Sequence, residues 1–250
     1  MVKYLATVKV LLLHLLLFLF VQNSLYAQVD VVDSGHITTG ERIFEYEQVI
    51  GDSSRTFGTI YERIKQIAEN DIIEITILQE LPNATLTDSI LVQSESFLPI
   101  HYRSIVPQFQ DIKVNYSIPG STVIDMYRNI PNQLVDTTLY VHTAGRMYDY
   151  HWPHLLLYIL SPLEMNDDVI NLPVFTYQNK KSMQSISYKG TEPIELYGQK
   201  YDAIVWKTVI PHSGTENIYW IDQSTNRLLQ SKATISNGTI FWFRMKEKTG

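Results

Sequence analysis

Two histidines lie three residues apart, and no other spacing in this sequence suggests a metal-binding or catalytic site as strongly. His151 and His154 flank Trp152-Pro153, and side chains three apart on a helix share a face, where two imidazoles could bind a metal ion. A metal site needs a third ligand, and no neighbouring segment supplies an obvious one. Two interpretations therefore stay open: a metalloprotein or hydrolase that uses His151 and His154, or two polar residues at a helix start that line a pocket.

Other catalytic patterns are missing from the sequence. There is no G-x-S-x-G nucleophile elbow, no glycine-rich phosphate loop, no dinucleotide fingerprint and no H-E-x-x-H helix. Glu192 and Glu195 lie around a proline at a strand start, and Asp167-Asp168 lies in a predicted loop, so neither forms a convincing acid–base pair. We therefore predict no catalytic residues, no metal ligands, no cofactor and no enzymatic activity.

Aromatic residues are concentrated near the end of the chain. Side chains alternate between the two faces of a strand, so Trp242 must point away from Phe241 and Phe243. Either the sheet is covered on both faces there, or one face offers aromatic rings to a ligand or a membrane surface. Ordinary sheet packing explains the same residues, because aromatic side chains are common in strands.

The elements that must position these residues are mostly strands. Short segments rich in β-branched and aromatic residues recur at turn-marked intervals from Ile43 onwards. The segment from Glu62 to Asn70 also fits a helical turn. In the last third, Gly198-Gln199-Lys200 and Asn237-Gly238 separate strand-like runs at hairpin spacing. The pattern predicts a meander of at least four antiparallel strands there.

The segment from residue 149 to 160 interrupts this pattern. It is too apolar and too continuous to alternate, and Ser161-Pro162 ends it, so we predict a short helix. Pro153 suits a first-turn position, where its missing N–H is not needed, and Asp149 or His151 could cap the helix. One continuous curved sheet with this helix packed inside it, as a plug or lid, is the simplest arrangement.

The N-terminus has the pattern of an export signal. Lys3 and Lys9 precede an apolar run from Val10 to Val21, and Ala27 closes the segment. We predict a signal peptide at 1–27 and a single β-rich domain at 28–250, with a loose lead-in at 28–42. A retained membrane anchor is the alternative, but the apolar core is short against the roughly 20 residues that span a bilayer.

Composition indicates the compartment. The chain has no cysteine, which excludes disulfides, thiolate zinc sites and lipid attachment to a cysteine, and which suits a bacterial envelope better than a eukaryotic secretory route. Without the signal, 18 basic residues remain against 26 acidic ones, a net charge of about −8. A chain this acidic is not expected to bind nucleic acid.

The last hundred residues resemble a known family. A short apolar helix, a strand with a glycine-bounded turn, Tyr219-Trp220-Ile221-Asp222, a polar turn, Arg227-Leu228-Leu229 and a last hairpin follow one another over residues 145–245. This order is similar to that of exported bacterial domains of unknown function related to the lipoprotein carrier and receptor proteins LolA and LolB. The resemblance implies a strongly curved antiparallel sheet, a half barrel, with helices on its concave face that can enclose an acyl chain or another apolar ligand.

These observations predict a non-catalytic envelope protein that holds a hydrophobic ligand, a lipid, an acyl chain or a lipoprotein in the sheet concavity. A structural or interaction module with a filled core is the alternative. We expect an exported, periplasmic location, with an outer-membrane-associated or extracellular location and peripheral envelope contact as alternatives. The residues predicted to line the ligand site are Trp152, Leu156, Tyr158, Trp206, Trp220 and Trp242.

Overall fold

Strands account for most of the described structure. The computed structural model describes residues 38–67, 71–107, 110–116, 123–130, 133–140, 148–149, 152–158, 160, 169–176, 180–209, 215–235 and 237–246. In this part of the chain a single short helix, α1, spans Pro153–Leu157. The strands are β1 Gly40–Ile50, β2 Ser53–Ile67, β3 Ile72–Leu81, β4 Ala84–Gln93, β5 Pro99–Val106, β6 Gln110–Tyr116, β7 Val123–Ile130, β8 Gln133–Tyr140, β9 Tyr148–Asp149, β10 Val169–Thr176, β11 Lys180–Leu196, β12 Gln199–Val209, β13 Glu216–Asp222, β14 Arg227–Thr234 and β15 Ile240–Met245.

All fifteen described strands belong to one sheet. Their order is β8-β7-β6-β5-β4-β3-β2-β1-β15-β14-β13-β12-β11-β10-β9, so the first and last of the described strands pair in the middle of the sheet. Neighbouring strands are antiparallel except for β9, which is parallel to β10. The mainly antiparallel β fold predicted from the sequence is confirmed.

The sheet is strongly curved. Gln110 on β6 and Asn217 on β13 line the same cavity, although these strands lie eight positions apart in the sheet order, which is about 38 Å in a flat sheet. Irregularities in pairing next to Tyr46, Leu91, and Tyr188 increase the local twist and bend. The predicted half-barrel shape is confirmed, and its concave side is called the inner face below.

One glycine lies where β2 and β3 approach each other closely. Gly58 pairs with Tyr46 beside the irregularity in β2, and a Cβ added there would meet the backbone oxygen of Glu80 on β3 at 2.2 Å. No side chain fits at that distance, so a close approach of β2 and β3 depends on glycine at this position.

The inner face carries the main core. Ile64, Ile75, Ile90 and Tyr102 are cross-strand partners along β2 to β5, and all four are buried. Their neighbours in sequence point to the outer face, as the period of two requires. The alternation of apolar and polar residues in these strands therefore selects the face on which the core forms.

The helix is shorter than the segment 149–160 that was predicted for it. Asp149 belongs to β9, and Trp152 occupies the cap position without a side-chain hydrogen bond to the helix, so the prediction that Asp149 caps the helix was wrong. His151 lies outside the described residues. Pro153 does occupy the first turn, as predicted. No helix in the described part of the chain has the length and hydropathy needed to cross a bilayer.

Two further boundaries differ from the sequence-based prediction. β1 begins at Gly40, inside the predicted lead-in 28–42, and β2 continues to Ile67, through most of the segment that also fitted a helical turn. Pairing of β2 with β1 and β3 on either side overrides the local helical preference of this segment. The two corrections place Arg42 and Glu62 in adjacent strands.

Candidate functional site

The curved sheet and the helix enclose a cavity of about 460 Å³. It lies on the inner face, and Trp152 and His154 from the helix segment form part of its wall. Apolar, aromatic and polar side chains all contribute. The described lining residues are Phe44, Tyr46, Ile60, Glu62, Ile77, Gln79, Leu86, Asp88, Tyr102, Ser104, Gln110, Trp152, His154, Asn217, Tyr219, Leu228, Ser231, Ala233 and Phe243.

The two ends of the cavity differ. At the end called the helix end, α1 lies against the turn that joins β13 and β14, where the Asn226 side-chain amide donates to the Tyr158 backbone oxygen at 2.6 Å. At the opposite end, called the open end, the chain turns at Gly51–Asp52 between β1 and β2. Inner-face residues such as Tyr46 and Phe243 are only half-buried towards the open end, so solvent reaches the cavity from there.

A buried ionic network anchors the helix end. The Arg42 Nη1 atom lies 3.0 Å from Glu62 Oε1, and the two side chains are 2% and 1% exposed. His154 Nε2 lies 2.7 Å from the second carboxylate oxygen of Glu62. The Tyr158 hydroxyl accepts from Arg42 at 2.8 Å and donates to Glu62 at 3.4 Å. The network thus ties α1 to β1 and β2.

The environment of this network shifts the pKa of two of its groups. Burial alone raises the pKa of Glu62, but the hydrogen bond and charge of His154, together with the charge of Arg42, outweigh burial and lower it. Burial, followed by the negative charge of Glu62, raises the pKa of the Tyr158 phenol. Glu62 is therefore held as a carboxylate and Tyr158 as a neutral phenol.

Asp88 forms a second polar group near the helix end. Asp88 is 4% exposed. Its Oδ2 atom accepts a hydrogen bond from the Trp152 indole N–H at 2.7 Å, and its Oδ1 atom accepts one from the Tyr102 hydroxyl at 3.2 Å. The carboxylate therefore orients the indole of Trp152 at the cavity wall.

Aromatic rings line the open end. Tyr46 stacks on Phe243 with ring centroids 4.6 Å apart, and it meets Phe57 edge-on at 5.1 Å and Phe241 at 5.5 Å. Burial raises the pKa of Tyr46 to about 12. The open end therefore carries aromatic rings together with polar side chains, since Ser231 pairs with Phe243 and Asn217 pairs with Ala233.

The structure divides the predicted ligand residues between different environments. Trp152 lines the cavity. Leu156 instead borders a separate small void of about 20 Å³ beside Trp152, and Tyr158 joins the ionic network. Trp206, which is 1% exposed, packs against Tyr188 outside the described cavity lining. Of these four residues, only Trp152 is in a position to touch a molecule inside the cavity.

Trp220 and Trp242 lie on the outer face. The register pairs Phe243 with Tyr46 and Trp242 with Glu47, so Trp242 points away from Phe241 and Phe243, as predicted. Trp220 and Trp242 stack with centroids 5.7 Å apart, and they pack with Leu196, Val205 and Leu229 in a separate apolar cluster. The structure therefore does not bring Trp220 and Trp242 together with Trp152 around one ligand.

The structure explains one of the two histidines. His154 is buried and its Nε2 atom is engaged by Glu62, whereas His151 lies outside the described residues. Among the residues that the structure describes, no three histidine, cysteine, aspartate or glutamate side chains converge as a metal site would require. The pocket-lining interpretation of His154 agrees with its position in the cavity wall.

Sequence reasoning missed Arg42, Glu62 and Asp88. A signal for two of them is present in the sequence, because Glu62 lies between Ile60 and Ile64 at the spacing of two that marks one face of a strand, and Asp88 similarly precedes Ile90. A carboxylate at such an apolar position must be paired when it is buried. Arg42 lies at a similar position, two residues before Phe44, but the sequence does not show which acidic residue would pair with it, since Glu62 is 20 residues away.

Solved structures show what the fold is similar to. The "Beta-barrel-like Protein of Domain of Unknown Function DUF1849" from Brucella abortus superposes with a TM-score of 0.53 at 5% identity, covering 83% of this chain and 95% of that one. The hypothetical lipoprotein YmcC from Escherichia coli gives a TM-score of 0.32 at 10% identity, covering 88% and 94% of the two chains. A putative outer membrane lipoprotein-sorting protein domain from Vibrio parahaemolyticus gives 0.25 at 10% identity, covering 84% and 86%.

Sequence comparison identifies the family. No curated protein matches the chain significantly. The profile of the family described as "Protein of unknown function (DUF3108)" matches residues 50–243, which is more than half of the 250 residues. The match confirms the prediction of a domain-of-unknown-function family, and the fold likeness to the Brucella protein agrees with the predicted curved β sheet. The chain belongs to the DUF3108 family.

Proposed function

We propose that this protein is a non-catalytic protein of the bacterial cell envelope that binds a hydrophobic ligand, a lipid or a lipid-bearing partner in its cavity. The observation that carries the proposal is the cavity of about 460 Å³ between the inner face and α1. Its volume lies within the range of about 300–1,000 Å³ that is typical of small-molecule sites. The alternative of a filled core does not agree with this volume.

The wall of the cavity supports an apolar ligand. Phe44, Ile60, Ile77, Leu228 and Phe243 contribute apolar surface on strands from both halves of the sheet. Contact of a ligand with this surface removes apolar area from water, which is the main driving force for such binding. The concave, mostly preformed wall therefore suits an acyl chain or a comparable apolar group.

Of the residues predicted from the sequence, Trp152 is assigned to ligand contact. Leu156, in α1, and Tyr158, directly after it, have a positioning role in this proposal, because both side chains are buried. The helix then acts as a plug that closes the helix end of the cavity.

The location in the envelope rests on the N-terminal pattern. Lys3, Lys9 and the apolar run up to Val21 support export, and Ala27 supports cleavage before Gln28. Mass spectrometry of the protein purified from a periplasmic extract is expected to show an N-terminus at Gln28. Recovery of the uncleaved chain from the cytoplasm would contradict the proposed location.

Ligand binding is tested in two steps. Organic-solvent extraction of the purified protein, followed by mass spectrometry, is expected to release lipid that an equally treated exported protein of similar size does not release. N-phenyl-1-naphthylamine, an uncharged apolar fluorophore, is expected to gain fluorescence on binding to the extracted protein. Absence of both lipid and probe binding would refute the proposed function.

A further inference from the structure

We infer that an unbranched acyl chain lies along β14 on the inner face, and that an uncharged ester or amide carbonyl of the same ligand accepts a hydrogen bond from Ser231. The inference rests on the proposed function. It adds the chemical class of the ligand and the part of the cavity that holds it.

Small side chains on β14 leave a groove between larger neighbours. Ser231 pairs with Phe243 on one side and with Tyr219 on the other, and the next inward residue of β14, Ala233, pairs with Asn217. All five side chains line the cavity. Because the side chains on β13 and β15 extend further from the sheet than serine or alanine does, these five residues form a groove that follows β14. It is called the β14 groove below.

Phe243 presents one face of its ring to the β14 groove. β1 and β14 lie on opposite sides of β15, and Tyr46 of β1 stacks on Phe243 with an interplanar angle of 13°. The face of the Phe243 ring that is turned away from Tyr46 is therefore directed towards β14. The floor of the groove is one strand wide, and neighbouring strands are about 4.8 Å apart. This width suits a single methylene chain in contact with the ring.

A hydroxyl group in the floor of the β14 groove points to a ligand with a polar atom. Ser231 is 5% exposed and lines the cavity, and its Oγ atom makes no hydrogen bond to any residue that the structure describes. Buried hydroxyl groups are normally hydrogen-bonded, and the adjacent side chains of Phe243 and Ala233 contain no acceptor atom. A carbonyl oxygen of a bound molecule would supply the acceptor for Ser231.

Asn217 adds a second hydrogen-bonding group to the wall of the β14 groove. It is 7% exposed, and its Nδ2 atom donates to Thr208 Oγ1 at 3.4 Å, which is longer than the usual N–H···O distance. A side-chain amide has two N–H donors. One donor of Asn217 therefore remains for a ligand that lies beside Ser231.

The β14 groove contains no ionisable acid or base. Serine, alanine, asparagine and phenylalanine do not ionise, and the phenol of Tyr219 is neutral at pH 7. Burial of an ionised group is costly without a partner of opposite charge, whereas a neutral carbonyl needs only a hydrogen bond. An ester or amide therefore suits this part of the cavity better than a carboxylate or an ammonium group.

The ligand test compares two isomeric esters, methyl decanoate and methyl 2,2-dimethyloctanoate, which differ in branching beside the carbonyl. Each is titrated against the extracted protein carrying N-phenyl-1-naphthylamine. Methyl decanoate is expected to displace the probe at a concentration about fivefold lower or less, because the two extra methyl groups of its isomer overfill the groove beside Ser231. Displacement by the branched ester at the same or a lower concentration would overturn the inference and leave the proposed function standing. Absence of binding by the probe and by both esters, measured by titration calorimetry, would overturn both.

A pair of serine variants tests the hydrogen bond. Ser231→Ala removes the hydroxyl from the β14 groove, whereas Ser89→Ala removes one from the outer face of β4, since Asp88 and Ile90 on either side of Ser89 are directed inwards. Ser231→Ala is expected to weaken binding of methyl decanoate about threefold or more, the effect of one neutral hydrogen bond. Binding of N-phenyl-1-naphthylamine, which has no carbonyl, is expected to stay within about twofold of the wild type.

Ser89→Ala is the matched control and is expected to bind both molecules like the wild type. Unchanged binding of methyl decanoate to folded Ser231→Ala, checked by circular dichroism, would overturn the inference, and so would an equal loss in Ser89→Ala. If Ser231→Ala does not fold, the comparison of the two esters on the wild type decides.

Discussion

At the scale of single residues, the unusual feature is a carboxylate at an inward-facing strand position. Glu62 lies between Ile60 and Ile64 on the inner face, where its neighbours are core residues. Burial of a charge costs several kcal/mol unless a partner and hydrogen bonds compensate it. Arg42 and His154 supply that compensation, so the stability of the helix end depends on a few specific side chains.

Replacement of Arg42 tests this dependence. Arg42→Met leaves Glu62 buried without its arginine, and we expect a loss of about 3–5 kcal/mol in the free energy of unfolding, measured by urea denaturation. Arg63→Met is the matched control, because the Arg63–Glu41 pair is 3.7 Å long and its side chains are 62% and 63% exposed; a change below about 1 kcal/mol is expected. Equal losses in the two variants would contradict the assigned role of Arg42.

The pKa of Glu62 leads to a prediction for acid stability. Because this pKa is lowered in the folded protein, the carboxylate contributes stability above its unfolded pKa of about 4.3. That contribution is lost as the pH falls through the folded pKa. Urea denaturation between pH 7 and pH 3 is expected to show a steeper loss of stability for the wild type than for Glu62→Gln. Parallel curves would show that Glu62 is not responsible.

At the scale of elements, the alternation of side chains along each strand and the anchoring of the helix determine which residues line the cavity. Alternation in β15 directs Phe243 into the cavity and Trp242 to the outer face. The helix α1 has five residues, too few to be stable alone in water. Its position therefore depends on contacts with the sheet, which include the Asn226–Tyr158 hydrogen bond and the ionic network.

Two neighbouring residues of β14 test whether the inner face forms the binding surface. Ala233 lines the cavity, whereas Thr234 is exposed on the opposite face. Ala233→Phe fills space near the open end, and we expect at least fivefold weaker binding of N-phenyl-1-naphthylamine. Thr234→Phe introduces the same ring outside the cavity and is expected to bind like the wild type. Equal effects of the two substitutions would place the probe elsewhere.

At the scale of the whole molecule, pairing of the first and last strands holds the sheet together. β15 lies between β1 and β14, and its residues pair with both. The strands that line the cavity come from both sides of this junction, since Ile60 and Tyr219 are both in the lining. The cavity therefore exists only when the two halves of the chain are joined through β15.

Truncation tests this requirement. A chain that ends at Ile235 lacks β15, so the edges of β1 and β14 that normally pair with β15 become exposed. We therefore expect loss of the cooperative unfolding transition in circular dichroism and strong aggregation. A chain that ends at Lys246 keeps all the described strands and is expected to unfold like the full chain. A cooperative transition in the shorter chain would show that the halves fold independently of β15.

Local structure was predictable where residues close together in the sequence, such as turn residues, determine it. The hairpins from β11 to β15 were expected from their turn residues, and the meander is confirmed. The first of these turns is formed by Tyr197 and Gly198, both with positive φ, one residue before the predicted turn. The segment from Glu62 to Asn70 was ambiguous because its helical preference competes with strand pairing that the sequence does not display, and its residues up to Ile67 belong to β2.

The sequence by itself determined the β class, the C-terminal meander, the apolar interruption that contains α1 and the fact that Trp242 points away from Phe241 and Phe243, because these depend on periodicity and turn chemistry within a few residues. The tertiary structure alone decided that Glu62 meets Arg42, 20 residues away, and His154, 92 residues away. It also decided that Trp220 and Trp242 lie outside the cavity while Trp152 lies in its wall. Such contacts depend on the register and curvature of the sheet, which form only when distant strands pair.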